Sequence, residues 1–176
     1  MPTILAIDPA YKTLGLALVD TSAGEVKLTK TVNCGGSPFA FAKVLERELP
    51  PFLEFGDIAY IVAESPPIGM VRGQGVRPKS AAYIWCVMGG LSFWARENKI
   101  PWRPSITPMA LKQFAARTVG RKYRPSTSRK ERKAIVGDAV HALCTVPESS
   151  SDHEEDAILV AFASEARAPY EPTISK

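Results

Sequence analysis

The chain has 176 residues, of which 45% are hydrophobic, and its 22 Lys and Arg against 18 Asp and Glu give a net charge of +4. This length suits one domain with a real core. The most apolar run, at 81–95, contains two glycines and is shorter than the ~20 residues of a membrane-spanning helix. The three cysteines are widely spaced, which argues against a zinc site or a disulfide framework, and no secretory leader opens the sequence. The cytoplasm, for a protein of bacterial or viral source, or another reducing compartment that contains DNA is therefore expected.

The positive charge is concentrated in the middle of the chain. Between Arg72 and Lys133 most charged residues are Lys or Arg, and only Glu97 and Glu131 are acidic. This asymmetry favours a polyanionic partner, because each phosphate that a cation neutralises releases condensed counterions. Basic surfaces also serve solubility and membrane contact, so charge alone favours nucleic acid over these alternatives without deciding between them.

Four strands are predicted in the first part of the chain. Ile4 to Ile7 form a continuous apolar run that ends at Asp8, which is typical of a central strand covered on both faces. Strands at 14–19 and 26–32 follow short turns. A helix that begins at Ser37-Pro38 and is closed by Pro50 and Pro51 precedes the fourth strand, at 58–63, which ends at Glu64.

The rest of the chain is predicted to be mainly helical. A Pro- and Gly-rich loop at 65–78 leads into a helix at 80–98, and a short strand is expected near Trp102. Three more helices are expected to begin at N-cap residues, with Glu131 completing a capping box in the second of them. These N-caps are Thr107, Ser128, and either Ser151 or Asp152.

This order of elements predicts one α/β domain over residues 1–168, with a mixed five-stranded sheet flanked by helices. The opening three strands form an antiparallel meander, whereas the later strands return through helices and so run parallel to the first. Residues 169–176 are expected to form a flexible tail.

Two acidic residues stand at matching ends of predicted strands. Asp8 ends the first strand and Glu64 the fourth. Ligands of α/β proteins collect at carboxyl strand ends, and neighbouring strands lie only ~4.8 Å apart. Each acid alone could simply mark where its strand meets solvent. The pair favours a metal site, because Asp and Glu are depleted in strands.

A third acidic cluster opens the last predicted helix, from Asp152 to Asp156. Acids at a helix start stabilise its dipole, and this accounts well for most of the cluster. It accounts less well for Asp156, which precedes the apolar run 157–161 and is expected to be partly buried. His153 lies three residues earlier and shares a helix face with Asp156.

Ordered segments of the chain, from Ile4 to about Ala163, resemble the RuvC-type Holliday-junction resolvases. The closing helix of that family places an acid or a histidine three residues before its last aspartate, as His153 precedes Asp156 here. The other matching segments are Ile7-Asp8-Pro9 with Thr13-Leu14-Gly15, then Val62-Ala63-Glu64, and then Thr107-Pro108, Lys112, Gly120 and a lysine-bearing helix start.

The resemblance implies a ribonuclease H-like fold and a homodimeric endonuclease that nicks four-way DNA junctions in symmetric pairs. It implies two Mg²⁺ ions per active site, for which Mn²⁺ substitutes, and no small-molecule cofactor. Asp8, Glu64 and Asp156 correspond to metal ligands. His153 corresponds to a fourth position that binds metal or orients and deprotonates a water. The expected products carry a 5′-phosphate and a 3′-hydroxyl.

Basic residues are predicted to hold the DNA. Lys112 and either Lys130 or Lys133 would contact the phosphate. Lys130 fits by its place at the helix start, and Lys133 fits by the apolar residues that follow it. The chain departs from the family pattern in a longer basic loop at 121–127, in Pro9-Ala10 for Pro-Gly, and in the lack of an aromatic residue after Glu64. Further predicted DNA contacts are Lys79, Arg121 and Lys122.

The helix predicted at 80–98 carries large apolar side chains on nearly every face. Such a helix is buried, usually in a core but otherwise against a partner. A two-fold dimer would supply the second active site that paired incision requires. Trp85 and Met88 share a face and are the candidate dimer residues.

Other functions fit parts of this pattern. A non-catalytic, basic protein that binds DNA junctions would explain the charge but not Asp8 and Glu64, because acids repel DNA unless a metal lies between. A ribonuclease H-like nuclease for another branched or hybrid nucleic acid would explain both. Sugar kinases and actin-like ATPases open with a similar hairpin but need two such domains and a longer chain.

Overall fold

In a computed structural model of the protein, the described residues are 3–35, 37–65, 78–103, 105–124, 126–146 and 150–166. The opening strands and the helices follow the predicted order closely. The elements are β1 (Thr3–Pro9), β2 (Thr13–Asp20), β3 (Glu25–Asn33), α1 (Pro38–Arg47), α2 (Pro50–Leu53), β4 (Ile58–Ala63), α3 (Pro78–Glu97), α4 (Pro108–Thr118), α5 (Arg129–Leu143) and α6 (Asp152–Glu165).

The sheet has the strand order β3-β2-β1-β4. β1 pairs antiparallel with β2, β2 pairs antiparallel with β3, and β1 pairs parallel with β4, as the meander and the helical return predict. Both of the central strands, β1 and β2, are buried along nearly their whole length. Their continuous apolar sequences therefore reflect helices on both faces of the sheet.

The prediction of five strands is wrong, because the described residues form a four-stranded sheet. The segment near Trp102 does run parallel to β4, but it meets β4 only in single bridges, between Ile61 and Trp102 and between Glu64 and Ile106. Prolines at 101 and 104 lack the N–H group that a continuous ladder needs. The segment therefore lies beside the sheet without becoming a strand of it.

Alternate strand residues point to opposite faces of the sheet and build two separate cores. The α4–α6 face packs against helices α4, α5 and α6, and the α1–α3 face packs against α1, α2 and α3. The α4–α6 face takes Ile4, Ala6, Ala17, Val19, Tyr60 and Val62 from the strands. The α1–α3 face takes Leu5, Ile7, Leu14, Leu16, Leu18, Ile61 and Ala63.

The three helices of the α4–α6 face begin at the N-cap residues that the sequence predicts. The hydroxyl of Thr107 accepts a hydrogen bond from the Ala110 N–H, that of Ser128 from the Glu131 N–H, and that of Ser151 from the Glu154 N–H. Each bond satisfies a backbone donor that the first helical turn leaves free. Ser151, and not Asp152, is therefore the cap of α6.

Helix α3 is less completely buried than its sequence suggests. Met88 is only 7% exposed and packs into the core, so its prediction as an outward-facing dimer residue is wrong. Trp85 and Phe93 are 51% and 57% exposed on the outer side of the helix. Neither α3 nor any other helix in the described part of the chain combines the length and apolarity needed to cross a bilayer.

Candidate active site

Asp8 and Glu64 lie side by side at the carboxyl end of the sheet. The Glu64 N–H donates to the Ile7 carbonyl at 2.9 Å, which joins the ends of β1 and β4. Because side chains alternate along a strand, Asp8 follows Ile4 and Ala6, and Glu64 follows Tyr60 and Val62. Both carboxylates are thus directed to the α4–α6 face, as their spacing predicts.

Helix α6 reaches these carboxylates because a glycine lets it lie on β2. Gly15 pairs with Asp8 in the β1–β2 register and therefore faces α6. A methyl group on Gly15 would lie 2.0 Å from the carbonyl oxygen of His153, a distance at which the two atoms overlap. Only glycine at this position allows the first turn of α6 to approach so closely.

His153, in the first turn of α6, contacts both of the central strands through its two ring nitrogens. Its Nδ1 donates to Asp8 Oδ2 at 2.7 Å, and its Nε2 lies 2.9 Å from Thr13 Oγ1. The hydrogen bond to Asp8 raises the pKa of His153, and the charges of Asp8 and Asp156 add to this although burial opposes it. The imidazole is therefore held between Asp8 of β1 and Thr13 of β2.

Glu64 and Asp156 share an environment that disfavours their charged forms. Burial raises the pKa of Glu64 to about 8, with further increases from the charges of Asp8 and Asp156, whereas Lys112 opposes them. Burial likewise raises the pKa of Asp156 to about 7, with a contribution from Asp8, against His153 and Lys112. Perturbed carboxyls that repel one another around a cavity are typical of a functional site.

The carboxylates line a cavity of about 400 Å³ between the sheet end and helices α4 to α6. Its lining combines acidic residues from the sheet end and from α6, Asp152 and Glu155 among them, with four basic residues from α4 and α5. This arrangement places cations where the phosphate of a nucleic acid would approach an acidic centre. The lining includes Asp8, Glu64, His153 and Asp156 together with Lys112, Arg129, Arg132 and Lys133.

The two predicted lysines of α5 differ in their relation to the cavity. Both are exposed, but Lys133 lines the cavity and Lys130 does not. Sequence reasoning missed Arg129 and Arg132, which line the same cavity. Their helical spacing held the signal, because residues 129, 132, 133 and 136 share one face of α5 and Val136 also lines the cavity.

Asp152 and His153 have different surroundings. Asp152 forms an ion pair with Lys133, and its side chain is 58% exposed. His153 contacts Asp8 directly. Ser151 and Glu154 connect the start of α6 to β3 through Thr31. The Thr31 hydroxyl lies 2.5 Å from Ser151 Oγ and donates to Glu154 Oε1 at 2.9 Å. The acidic cluster thus divides into supporting residues and cavity residues.

The donor set suits divalent cations that prefer oxygen ligands. Asp8, Glu64 and Asp156 offer carboxylate oxygens, and neutralising their mutual repulsion would favour the ionised forms that burial disfavours. Within the described residues, however, no group of three or more His, Cys, Asp or Glu is arranged closely enough to hold one ion as it stands. Repulsion between carboxylates without a cation favours such separation.

Arg121 and Lys122, two of the other predicted DNA contacts, do not line this cavity. Arg121 forms an ion pair with Asp138 at 2.9 Å, and Lys122 is exposed in the loop that follows α4. Both residues line a second concave surface, near the end of α4. The side chain of Lys79, at the start of α3, lies outside the described residues.

Comparison with solved structures shows the fold of the chain. No protein-family model matches it, and no curated protein is detectably similar in sequence. The structure of Thermus thermophilus RuvC in complex with a Holliday junction substrate is 19% identical, with a TM-score of 0.67 and coverage of 96% of both chains. A second Thermus thermophilus RuvC structure is 20% identical, with a TM-score of 0.64 and coverage of 95% of both chains.

A more distant structure has the same architecture. The yeast mitochondrial Holliday junction resolvase Ydc2 is 13% identical, with a TM-score of 0.57, and the match covers 93% of this chain and 76% of that one. The identities are low, so these likenesses show the fold alone, a mixed α/β fold shared with the RuvC structures. This agrees with the predicted mixed sheet flanked by helices, apart from its fifth strand.

Proposed function

We propose that this protein is a metal-dependent, structure-selective DNA endonuclease that resolves four-way junctions. The observation that carries the proposal is the meeting of Asp8, Glu64 and Asp156 in a cavity that four basic residues also line. The fold supports it, because similar structures include two of RuvC and one of a mitochondrial Holliday junction resolvase, and one RuvC structure contains a Holliday junction substrate. An acidic centre repels DNA unless cations occupy it, so acids within a basic surround favour catalysis over simple binding.

Asp8, Glu64 and Asp156 would hold two Mg²⁺ ions, or Mn²⁺ in their place. Such ions, when bound, activate a water at neutral pH and offset charge on the phosphate. His153 stands beside Asp8 with its raised pKa and would orient the attacking water or accept its proton. The chemistry would leave a 5′-phosphate and a 3′-hydroxyl.

The basic residues of the cavity would hold the scissile phosphate. Lys112 comes from α4, and Arg129, Arg132 and Lys133 come from the first turns of α5. Guanidinium groups bind phosphate oxygens in pairs, which fixes orientation as well as position. Lys133 would exchange its ion pair with Asp152 for the phosphate, since that pair is exposed and therefore weakly held.

Paired incision would require two copies of this site. A two-fold homodimer places one site on each of two strands of like polarity. The exposed aromatic side chains of α3, Trp85 and Phe93, offer an apolar surface for that contact. The three cysteines are free, which suits work in a reducing, DNA-containing compartment.

The proposal is tested with labelled four-way junctions, duplex, flap and RNA–DNA hybrid, each incubated with and without Mg²⁺. We expect paired symmetric nicks in the junction that require the metal, and slower cutting of the other substrates. Preferred cutting of a flap or a hybrid would instead identify a nuclease for that substrate. Tight junction binding without cutting in either Mg²⁺ or Mn²⁺ would identify a non-catalytic junction-binding protein.

A further inference from the structure

A second concave surface lies beyond the active-site cavity, where α4 ends and the basic loop begins. It encloses about 350 Å³. We call it the basic cleft. Its lining holds four cations and, among the described residues, no acid. The cleft is lined by Gln113, Ala116, Arg117, Arg121, Lys122, Tyr123 and Arg124.

The loop that forms the cleft is held in place by several contacts. Gly120 turns the chain with a φ of 66°, and the Arg121 N–H then donates to the Ala116 carbonyl at 2.7 Å. The Arg121 side chain pairs with Asp138 of α5, and Tyr123 packs against the core of the α4–α6 face. A preformed surface of this kind loses little conformational entropy when it binds a ligand.

Three of the cleft cations are exposed to solvent without an ion-pair partner among the described residues. Arg117, Lys122 and Arg124 are exposed and line the cleft, whereas Arg121, although half-exposed, forms an ion pair with Asp138. Arg121 therefore acts chiefly to fix the loop, and the other three present charge. Exposed cations in a concave surface without acids attract a polyanion, and a phosphodiester backbone offers one charge per ~3.4 Å of each strand.

Helix α4 connects the basic cleft to the active-site cavity. It contributes Lys112 to the cavity, and Gln113, Ala116 and Arg117 to the cleft. Lys112 and Arg117 are separated by only about 7.5 Å along the helix axis, at ~1.5 Å per residue. A backbone that enters the cavity therefore has further phosphates within reach of the cleft, a few nucleotides away.

We infer that the basic cleft binds phosphates in an arm of the DNA, outside the site of cutting. The inference rests on the proposed function, and it adds that arm contacts come from an anchored loop separate from the cavity. The cleft contributes affinity independent of sequence and directs the arm, whereas the cavity holds the phosphate that is cut.

The test compares two double variants that remove the same charge. Lys122→Gln with Arg124→Gln alters the cleft. Lys43→Gln with Arg47→Gln alters exposed cations of α1, on the α1–α3 face. Junction affinity is measured from 50 to 200 mM salt in EDTA, so that cutting does not interfere, and phosphate contacts are mapped by hydroxyl-radical footprinting.

The cleft variant should reduce the magnitude of the slope of log K against log salt by about 1.8, at about 0.9 for each lost phosphate contact. If the two proteins bind equally at 1 M salt, where these contacts are screened, the variant should bind up to about 60-fold more weakly at 0.1 M. Its footprint should lose protection in one arm and keep that at the branch point. The α1 variant should match the native chain in slope and footprint.

The outcomes separate this inference from the proposed function. An unchanged slope and footprint in the cleft variant, with a native chain that still cuts junctions, overturns the inference alone. If the cleft variant has a reduced slope and loses arm protection, but the native chain cuts no junction, the cleft is supported and the endonuclease proposal fails. Equal losses in both double variants also overturn the inference, because they would reflect net charge and not the cleft.

Discussion

The two faces of the sheet use the same strands in different ways. On the α1–α3 face the strands present large aliphatic side chains, among them Leu14, Leu16 and Leu18, and these fill the space below the helices. On the α4–α6 face the neighbouring positions are small, with Gly15 and Ala17 on β2. A helix can lie much closer to small residues than to leucines.

This difference in side-chain size decides where chemistry can occur. The close approach at Gly15 brings His153 into hydrogen-bonding distance of Asp8 and places Asp156 beside Glu64. On the α1–α3 face the close approach at Gly90 accommodates the ring of Phe41 and serves an apolar core. Both faces therefore contribute a buried core, but only the α4–α6 face also carries the acidic site at its edge.

The largest expected effect is the loss of junction cutting when an acid of the α4–α6 face is neutralised, compared with an acid of the α1–α3 face. Asp8→Asn or Asp156→Asn should reduce junction cutting by at least about a thousandfold, because each removes charge that would hold the cations. Glu48→Gln, which neutralises an acid paired with Lys30 over the α1–α3 face, should leave the rate unchanged. Single-turnover cleavage measures the rates. Gel shifts in EDTA should give junction affinities within severalfold of the native chain. Near-native cutting by Asp8→Asn would contradict the site assignment.

A matched pair of glycines tests the close approach directly. Gly15→Ala should destabilise the protein by about 3 kcal/mol and also impair cutting, since the added methyl overlaps the His153 carbonyl. Gly89→Ala on α3, where a methyl meets nothing within 4 Å, should stabilise by about 0.5–1 kcal/mol. Urea denaturation measures both. Equal effects at the two glycines would show that α6 does not require Gly15.

The buried acids should also give the metal-free protein an unusual pH dependence. The pKa of Glu64 rises from 4.5 to about 8 on folding, so the folded state binds this proton more tightly than the unfolded chain. The free energy of unfolding should therefore fall as pH rises from about 4.5 to about 8. Glu64→Gln should remove that contribution and be more stable than the native chain by about 4 kcal/mol at pH 8, but by little near pH 4.5.

Denaturation in EDTA across this range measures the effect, with Glu48→Gln as the control for loss of one acid. A native chain and a Glu64→Gln variant with parallel stability profiles would rule out the proposed burial of charge. Adding Mg²⁺ should narrow the gap at pH 8, because bound cations favour the ionised carboxylate.

The smallest expected effect concerns the outer surface of the α1–α3 face. Trp85→Ser should weaken homodimerisation by about 30-fold, or about 2 kcal/mol, because exposed tryptophans are frequent anchors of protein interfaces. Phe55→Ser removes an aromatic side chain of similar exposure from another part of the surface and should have little effect. Sedimentation at micromolar concentration compares the variants. A monomeric native chain that still makes paired cuts would contradict the dimer.

The sequence by itself determined the features that arise from local patterns. Continuous apolar runs located the central strands, and hydroxyl residues before helical periodicity located the caps at Thr107 and Ser128, while the third cap was left between Ser151 and Asp152. The positions of Asp8 and Glu64 directly after two apolar runs were enough to predict that they lie at neighbouring strand ends. These features depend on short-range sterics and backbone hydrogen bonding, which neighbouring residues control.

Only the tertiary structure decided which of several equivalent side chains reached the site. The sequence left Lys130 and Lys133 as alternatives, and the packing of α5 turned Lys133 to the cavity together with Arg129 and Arg132. The sequence predicted Met88 and Trp85 as dimer residues on one face of α3, but Met88 is buried in the core and Trp85 is exposed. It predicted a fifth strand that forms only single bridges to β4. The physical reason is the same in each case: the rotation of a helix and the completion of a ladder depend on contacts between residues far apart in the chain, which no local pattern records.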